Sequence, residues 1–119
     1  MALAMVVEDA DILNDSVAFL LEDVGFDVIK AYNGEEALKA VEHHKNVDLL
    51  VTDIKMEGSV DGWSLAEKFR QEIPNVKVIY VSGYNKEEQV VEGSVFLQKP
   101  FWPEQLMAAV MSLCKKGKE

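Results

Sequence analysis

The chain has 119 residues, enough for one domain, and its 21 acidic and 12 basic residues give a net charge of −9 at pH 7. This acidic balance argues against nucleic-acid binding by the domain, because phosphate backbones attract a basic surface. The apolar opening residues 1–7 are too few to span a bilayer and lack a basic lead, and the single cysteine, Cys114, cannot form an internal disulfide. We therefore expect a cytoplasmic protein that does not contact a membrane.

Short apolar runs alternate with helical patterns along the whole chain. Strands are predicted in residues 1–7, 26–31, 49–53, 76–81 and 95–97. The first helix is predicted to begin with Asp11 as its cap and to end at Gly25, and the second to begin at Asn33 or Gly34. The third is predicted to follow Asp61-Gly62 and to end at Pro74, and the last to begin at Pro103. Strand–helix units joined by short connections imply right-handed crossovers. The predicted fold is therefore α/β, a five-stranded parallel sheet with helices on both faces.

Polar side chains stand where four of the five predicted strands end. Glu8 and Asp9 follow the first strand, Asp53 closes the third, Ser82 follows the fourth and Lys99 follows the fifth. The carboxyl ends of parallel strands meet at one edge of the sheet, where functional groups gather. Each of these residues taken singly is also an ordinary cap or turn residue. Their coincidence at successive strand ends predicts a functional site.

Three carboxylates at one edge call for a cation. At about 4 Å and an effective dielectric constant near 20, each pair of like charges costs on the order of 4 kcal/mol. Mg²⁺ relieves this repulsion, since it prefers a few carboxylate oxygens together with waters, and it often shares its coordination with a phosphate. Asp53 is then the natural nucleophile for a phosphoryl group, giving an acyl phosphate. Lys99 and Ser82 supply a cation and a hydroxyl donor for the phosphoryl oxygens.

The motifs that carry these residues resemble those of one family. They read Val6-Val7-Glu8-Asp9, Val51-Thr52-Asp53-Ile54-Lys55-Met56, Asp61-Gly62, Val81-Ser82-Gly83 and Phe96-Leu97-Gln98-Lys99-Pro100-Phe101. Together they resemble the receiver domain of two-component response regulators over essentially the whole chain, residues 1–119. The resemblance implies a flavodoxin-like receiver fold with strand order 2-1-3-4-5. It also implies a phosphorylation-dependent signalling switch of a two-component phosphorelay. Asp53 would accept a phosphoryl group from a phosphohistidine of a histidine kinase or a histidine phosphotransfer protein.

The same resemblance implies a metal site. Asp9 and Asp53 would ligate Mg²⁺ (or Mn²⁺) together with the backbone carbonyl of Lys55. Glu8 would assist through a water molecule. These roles agree with the preference of Mg²⁺ for oxygen ligands of which only a few come from the protein.

Two further roles follow from the resemblance. Ser82 and Lys99 would bind the phosphoryl oxygens, and the Lys99-Pro100 peptide bond would be cis. Ser82 and Phe96 would form the switch, a two-state element biased by a new hydrogen bond to the phosphoryl group.

The switch would regulate a downstream protein partner or a homodimer. The domain would have no separate substrate and would therefore not be an enzyme. It would catalyse only its own phosphoryl uptake and its own slow dephosphorylation.

The sequence departs from the family pattern in two places. Glu57 stands where the family usually has a proline, and the loop of residues 56–62 is one residue longer and contains Gly58, so we expect a more mobile loop beside the acceptor. Only sixteen residues separate Ser82 from Lys99, which predicts that the fourth helix is replaced by a loop or shortened to one or two helical turns in residues 85–92. In the family that the chain resembles, this helix normally forms part of the surface that dimerises or contacts an output domain. We hypothesise that signalling through this surface is altered here, favouring a kinase partner over a DNA-binding output.

Two other functions compete with a signalling switch. An aspartyl-phosphate-forming phosphatase or phosphotransferase of similar topology would generally carry a second acid two residues after the nucleophile, where this chain has Lys55. A flavin- or nucleotide-binding module would carry a glycine-rich loop after the first strand, where Glu8 and Asp9 would repel phosphate. The motifs favour the switch, either as a single-domain regulator or as the receiver of a hybrid histidine kinase or longer regulator.

Overall fold

Strands and helices alternate along residues 2–83 and 90–114, the part of the chain that the computed structural model describes. The strands are β1 Ala2–Val7, β2 Phe26–Ala31, β3 Leu49–Asp53, β4 Lys77–Ser82 and β5 Val95–Gln98. The helices are α1 Asp11–Asp23, α2 Gly34–Val41, α3 Gly62–Glu72 and α4 Pro103–Cys114. All strand pairs are parallel, in the order β2-β1-β3-β4-β5. The predicted α/β fold and strand order are confirmed.

Helices cover both faces of the sheet. Side chains of α2 and α3 pack against alternate residues of the strands, such as Met5, Leu50 and Tyr80. Side chains of α1 and α4 pack on the opposite face, against residues such as Val6 and Val51. Every residue of β3 is buried, because the central strand is covered from both sides. Its unbroken apolar run therefore marks the centre of the sheet.

Side-chain caps begin two of the helices at positions where the sequence predicted helix starts. The Asn33 side chain accepts a hydrogen bond from the backbone of Glu36 at the start of α2, and the Asp61 side chain does the same from Ser64 at the start of α3. The prediction that Asp11 caps α1 is wrong. Ala10 occupies the cap position without a side-chain bond, and Asp11 is the first residue of the helix, where its charge still favours the positive helix end.

The connection between β4 and β5 is only partly described. The predicted helical turns in residues 85–92 fall mostly on residues 84–89, which lie outside the described residues. Residues 90–94 contain a turn and no helix, and the backbone N–H of Val91 donates to the Tyr80 hydroxyl at 3.0 Å. This described part of the connection agrees with a shortened fourth helix.

A helix that crosses a membrane must be both long and apolar. Among residues 2–83 and 90–114, the structure has no helix that combines the length and the apolar character needed to cross a bilayer.

Candidate functional site

The ends of two neighbouring strands bring three carboxylates together. β1 and β3 pair so that Val7 lies beside Thr52, which places Glu8 next to Asp53 one residue further along. Glu8 and Asp53 are buried, and Asp9 is exposed at the rim. One carboxylate oxygen from each of the three lies within 4.8 Å of the others. The predicted acidic cluster therefore exists in the fold.

The ammonium group of Lys99 connects two of these carboxylates. Its Nζ lies 2.9 Å from Glu8 Oε1 and 3.1 Å from Asp53 Oδ2. The backbone N–H of Lys99 donates to the Ser82 carbonyl at 2.7 Å, and the Lys99-Pro100 bond is cis as the resemblance implied. The sequence placed Lys99 only against phosphoryl oxygens. Without a phosphoryl group, the same ammonium neutralises part of the acidic cluster.

The pKa values at this edge reflect burial opposed by pairing. Burial raises the pKa of Glu8, and the nearby charge of Asp53 adds to this, while hydrogen bonds from Lys99 and the Ala10 backbone act in the opposite direction. Burial alone would lower the pKa of Lys99, but its hydrogen bonds to Glu8 and Asp53 outweigh burial and raise it. Lys99 is therefore charged at neutral pH, and it is the main cation that holds the two buried acids together.

The donor set fits Mg²⁺. All three side chains offer hard carboxylate oxygens, the ligands that this ion prefers, and opposite ligands of octahedral Mg²⁺ are about 4 Å apart. The 4.8 Å span of the three oxygens is close to that separation, so small side-chain adjustments suffice. The exposed position of Asp9 leaves one side of the cluster open to water. The cluster can therefore hold a divalent cation that keeps several waters.

Backbone contacts fix the carboxylate of Asp53. Its Oδ1 accepts a 2.7 Å hydrogen bond from the backbone N–H of Ile54, while Oδ2 receives Lys99. Gly62 packs directly on this turn, and its N–H donates to the Ile54 carbonyl at 2.8 Å. A Cβ at Gly62 would meet the Asp53 carbonyl oxygen and would lie 2.7 Å from Ile54 Cα, so only glycine fits. The Asp53 carboxylate is therefore held at one oxygen by the backbone that follows it and at the other by Lys99.

Sequence reasoning missed Asn14, which supports the acidic loop from below. This side chain is fully buried, and its Nδ2 donates to the backbone carbonyls of Glu8 and Ala31, each at 3.0 Å. It thereby joins the ends of β1 and β2 beneath the acidic cluster. The available signal was the spacing of Asn14 with Val17 and Leu21, which puts a polar residue on the buried stripe of α1.

The remaining predicted residues lie around this cluster. Ser82 is buried at the end of β4, one residue beyond the strand partner of Asp53. Phe96 lies beside Tyr80 in β5, half-buried on the face covered by α2 and α3. Lys55 follows Asp53 by two residues, and its side chain is exposed. The sheet thus gathers the predicted carboxylates, serine and lysine at one edge.

Comparisons with known proteins agree with this geometry. The family model described as the response regulator receiver domain matches residues 4–111. A response regulator receiver protein from Sinorhizobium medicae superposes with a TM-score of 0.90 at 32% identity, covering 96% of this chain and 94% of that one. The CheX-CheY-BeF3-Mg complex from Borrelia burgdorferi matches with a TM-score of 0.82 at 27% identity, covering 93% and 87%.

A curated relative shows how such domains occur in longer proteins. The sensor kinase CckA of Brucella abortus is 32% identical over 121 residues, which cover 97% of this chain and 13% of that protein. The match covers 54% of the probable transcriptional regulator ycf29 of Porphyra purpurea and 48% of the regulatory protein PhoP of Bacillus subtilis. The chain therefore spans about half or less of the length of these curated relatives. With a family model covering most of its length, the chain belongs to the response regulator receiver domains, the signalling domains of two-component systems.

Proposed function

We propose that this receiver domain takes a phosphoryl group onto Asp53 from a phosphohistidine of a histidine kinase or histidine phosphotransfer protein. The observation that carries the proposal is the setting of Asp53. Its carboxylate is buried at a strand end, within 4.8 Å of oxygens from Glu8 and Asp9, and contacts the Lys99 ammonium at 3.1 Å. Membership of a signalling family favours this function over the aspartyl phosphatase alternative.

Asp9, Asp53 and the backbone carbonyl of Lys55 would hold Mg²⁺ or Mn²⁺, with Glu8 assisting through water. The similar complex from Borrelia burgdorferi contains Mg²⁺, which supports the choice of metal. The ion would neutralise charge on the phosphoryl oxygens and on the carboxylates. The structure supports this donor set through the close approach of three carboxylate oxygens.

The residues of the chain account for the transfer step. An Asp53 carboxylate oxygen forms a bond to phosphorus while the bond from phosphorus to the histidine nitrogen breaks. The imidazole nitrogen keeps that electron pair and takes up a proton. Lys99 turns from Asp53 to the phosphoryl oxygens, where its fixed charge stabilises the negative charge that spreads over them. The Ser82 hydroxyl donates a further hydrogen bond from the neighbouring strand.

Phosphorylation would then act through Ser82 and Phe96. Both lie on the sheet face covered by α2 and α3, Phe96 beside Tyr80 and Ser82 two residues after Tyr80. Drawing Ser82 towards the phosphoryl group would open space along this face for the ring of Phe96 to move inward. This two-state change would alter the surface that a downstream protein or a second copy of the chain recognises.

Intact mass spectrometry after incubation with acetyl phosphate and Mg²⁺ tests the proposal. We expect one added phosphoryl group on the parent chain and none on Asp53→Asn. Asp48→Asn is the matched control, because Asp48 is an exposed acid just before the same strand, at the edge remote from the acidic cluster. This control should be labelled like the parent. Labelling of Asp53→Asn to the parent level would contradict the proposal.

A further inference from the structure

The loop that follows Asp53 is held by a carboxylate from another part of the chain. Glu35, in the first turn of α2, accepts a 2.9 Å hydrogen bond from the backbone N–H of Ser59 and a 2.8 Å bond from the Ser59 hydroxyl. The two residues are 24 positions apart in sequence. This pair, which we call the Glu35–Ser59 clasp, joins α2 to the loop between β3 and α3.

The backbone of the loop is shaped to receive this carboxylate. Gly58 adopts φ +101°, a conformation that side chains rarely allow, and a Cβ there would lie 2.6 Å from Glu35 Oε1. The Gly58 backbone therefore lies directly against the Glu35 carboxylate. The sequence predicted a mobile loop from its extra length, its glycine and its missing proline. The structure adds a restraint on the same loop that the sequence did not predict.

The charge of Glu35 suits the clasp. Hydrogen bonds from the backbone and hydroxyl of Ser59 lower the pKa of Glu35, so the side chain is ionised at neutral pH. Hydrogen bonds to an ionised acceptor are stronger than those between neutral groups. The positive end of α2 also favours a carboxylate in its first turn. The clasp is therefore a charge-assisted contact.

The restrained loop contains Lys55, whose backbone carbonyl is a metal ligand in the proposed function. One end is fixed where Gly62 packs on Asp53 and Ile54, and the clasp fixes the segment around Ser59. Lys55 lies between these two anchors. Resting on the proposed function, in which the Lys55 carbonyl is a metal ligand, we propose that Glu35 is a positioning residue that sets this carbonyl for Mg²⁺ through the Glu35–Ser59 clasp.

Calorimetric titration of Mg²⁺ into the unphosphorylated protein tests the proposal without relying on phosphoryl transfer. Loss of groups that orient metal ligands typically weakens binding by about 10- to 100-fold. Because Glu35 acts through the loop, we expect Glu35→Ala to raise the Mg²⁺ dissociation constant by roughly tenfold, the lower end of that range. Glu35→Gln keeps an oxygen acceptor and should stay within about threefold of the parent, since a neutral acceptor still accepts both hydrogen bonds.

Glu36→Ala is the matched control. Glu36 occupies the same helical turn, and its carboxylate accepts a 2.9 Å bond from the Tyr32 backbone rather than from the loop. This control should lose helix stability but keep the Mg²⁺ affinity of the parent. Amide hydrogen exchange in residues 55–60 should accelerate in Glu35→Ala and stay unchanged in Glu36→Ala.

The outcomes separate the two proposals. If the parent binds Mg²⁺ and Glu35→Ala binds it equally well with unchanged loop exchange, the positioning role is overturned and the proposed function stands. If the parent itself fails to bind Mg²⁺, both are overturned. Should Glu35→Ala not fold, Ser59→Ala decides, because it removes only the hydroxyl donor. Weaker Mg²⁺ binding by this variant supports the clasp, and parental affinity with parental loop exchange overturns it.

Discussion

Replacing Lys99 with methionine should have opposite effects on the stability of the metal-free fold and on its affinity for Mg²⁺. The Nζ contacts Glu8 at 2.9 Å and Asp53 at 3.1 Å, and the two carboxylate side chains are only 6% and 8% exposed. Removing one partner of a fully buried ion pair costs about 3–5 kcal/mol. The Lys99 side chain is 26% exposed, so screening reduces this cost, and we expect about 2 kcal/mol.

The same substitution removes a positive charge that would compete with a bound metal ion for the carboxylates of Glu8 and Asp53. A gain of about 1.4 kcal/mol corresponds to tenfold tighter binding. For loss of one nearby unit charge at a partly exposed site, we expect Mg²⁺ to bind roughly tenfold tighter to Lys99→Met than to the parent. Phosphoryl-dependent switching should nevertheless be impaired, because the ammonium that would bind the phosphoryl oxygens is missing.

Urea unfolding followed by circular dichroism, with and without Mg²⁺, measures both effects. Lys45→Met is the control, because Lys45 forms an exposed 3.3 Å pair with Glu72, and such pairs contribute about 0–1 kcal/mol. Without metal, Lys99→Met should be less stable than this control, and Mg²⁺ should restore more stability to it than to the parent. Equal metal-free stability of the two variants, or weaker Mg²⁺ binding by Lys99→Met, would refute the electrostatic role assigned to Lys99.

Three further predictions concern the supports of the site. Asn14→Leu should destabilise the fold by about 2 kcal/mol relative to the parent, because two buried carbonyls lose their donor, and the urea midpoints of the two proteins measure this. Gly62→Ala should cost at least about 2 kcal/mol, since its Cβ would overlap the turn at Asp53, and thermal unfolding checks it. The raised pKa of Glu8 means that its contribution to metal-free stability is full below the ordinary glutamate pKa and is lost as pH rises through its native pKa. Glu8→Gln should therefore flatten this decline in a pH series of unfolding free energies, and an unchanged slope would contradict it.

Local patterns predicted most of the fold and the composition of the site. The buried run of β3 ending in Asp53 could be recognised because a strand covered on both faces needs an unbroken apolar stretch. The starts of α2 and α3 could be recognised because Asn33 and Asp61 are residue types that cap helices, and in the structure their side chains bond the backbone three positions away. The same rule failed at Asp11, where the chain places Ala10 at the cap position and Asp11 within the helix.

The contacts that the sequence did not reveal join distant segments. Lys99 meets Glu8 across 91 positions, and Glu35 meets Ser59 across 24, so neither pair leaves a periodic signal. Asn14 could be placed on the buried stripe of α1 by its spacing, but its acceptors are backbone carbonyls, which have no sequence signature. Such contacts arise only once the strand order has brought the loops together.

Mapping the phosphorylated residue is the most direct test of the central claim. The parent chain is incubated with acetyl phosphate, with Mg²⁺ or with a chelator, and any acyl phosphate is reduced with borohydride before peptide sequencing by mass spectrometry. We predict reduction at Asp53 alone, and only in the sample that contains Mg²⁺. Modification of Asp9 or another acid in place of Asp53, or equal modification in the presence of the chelator, would contradict the account.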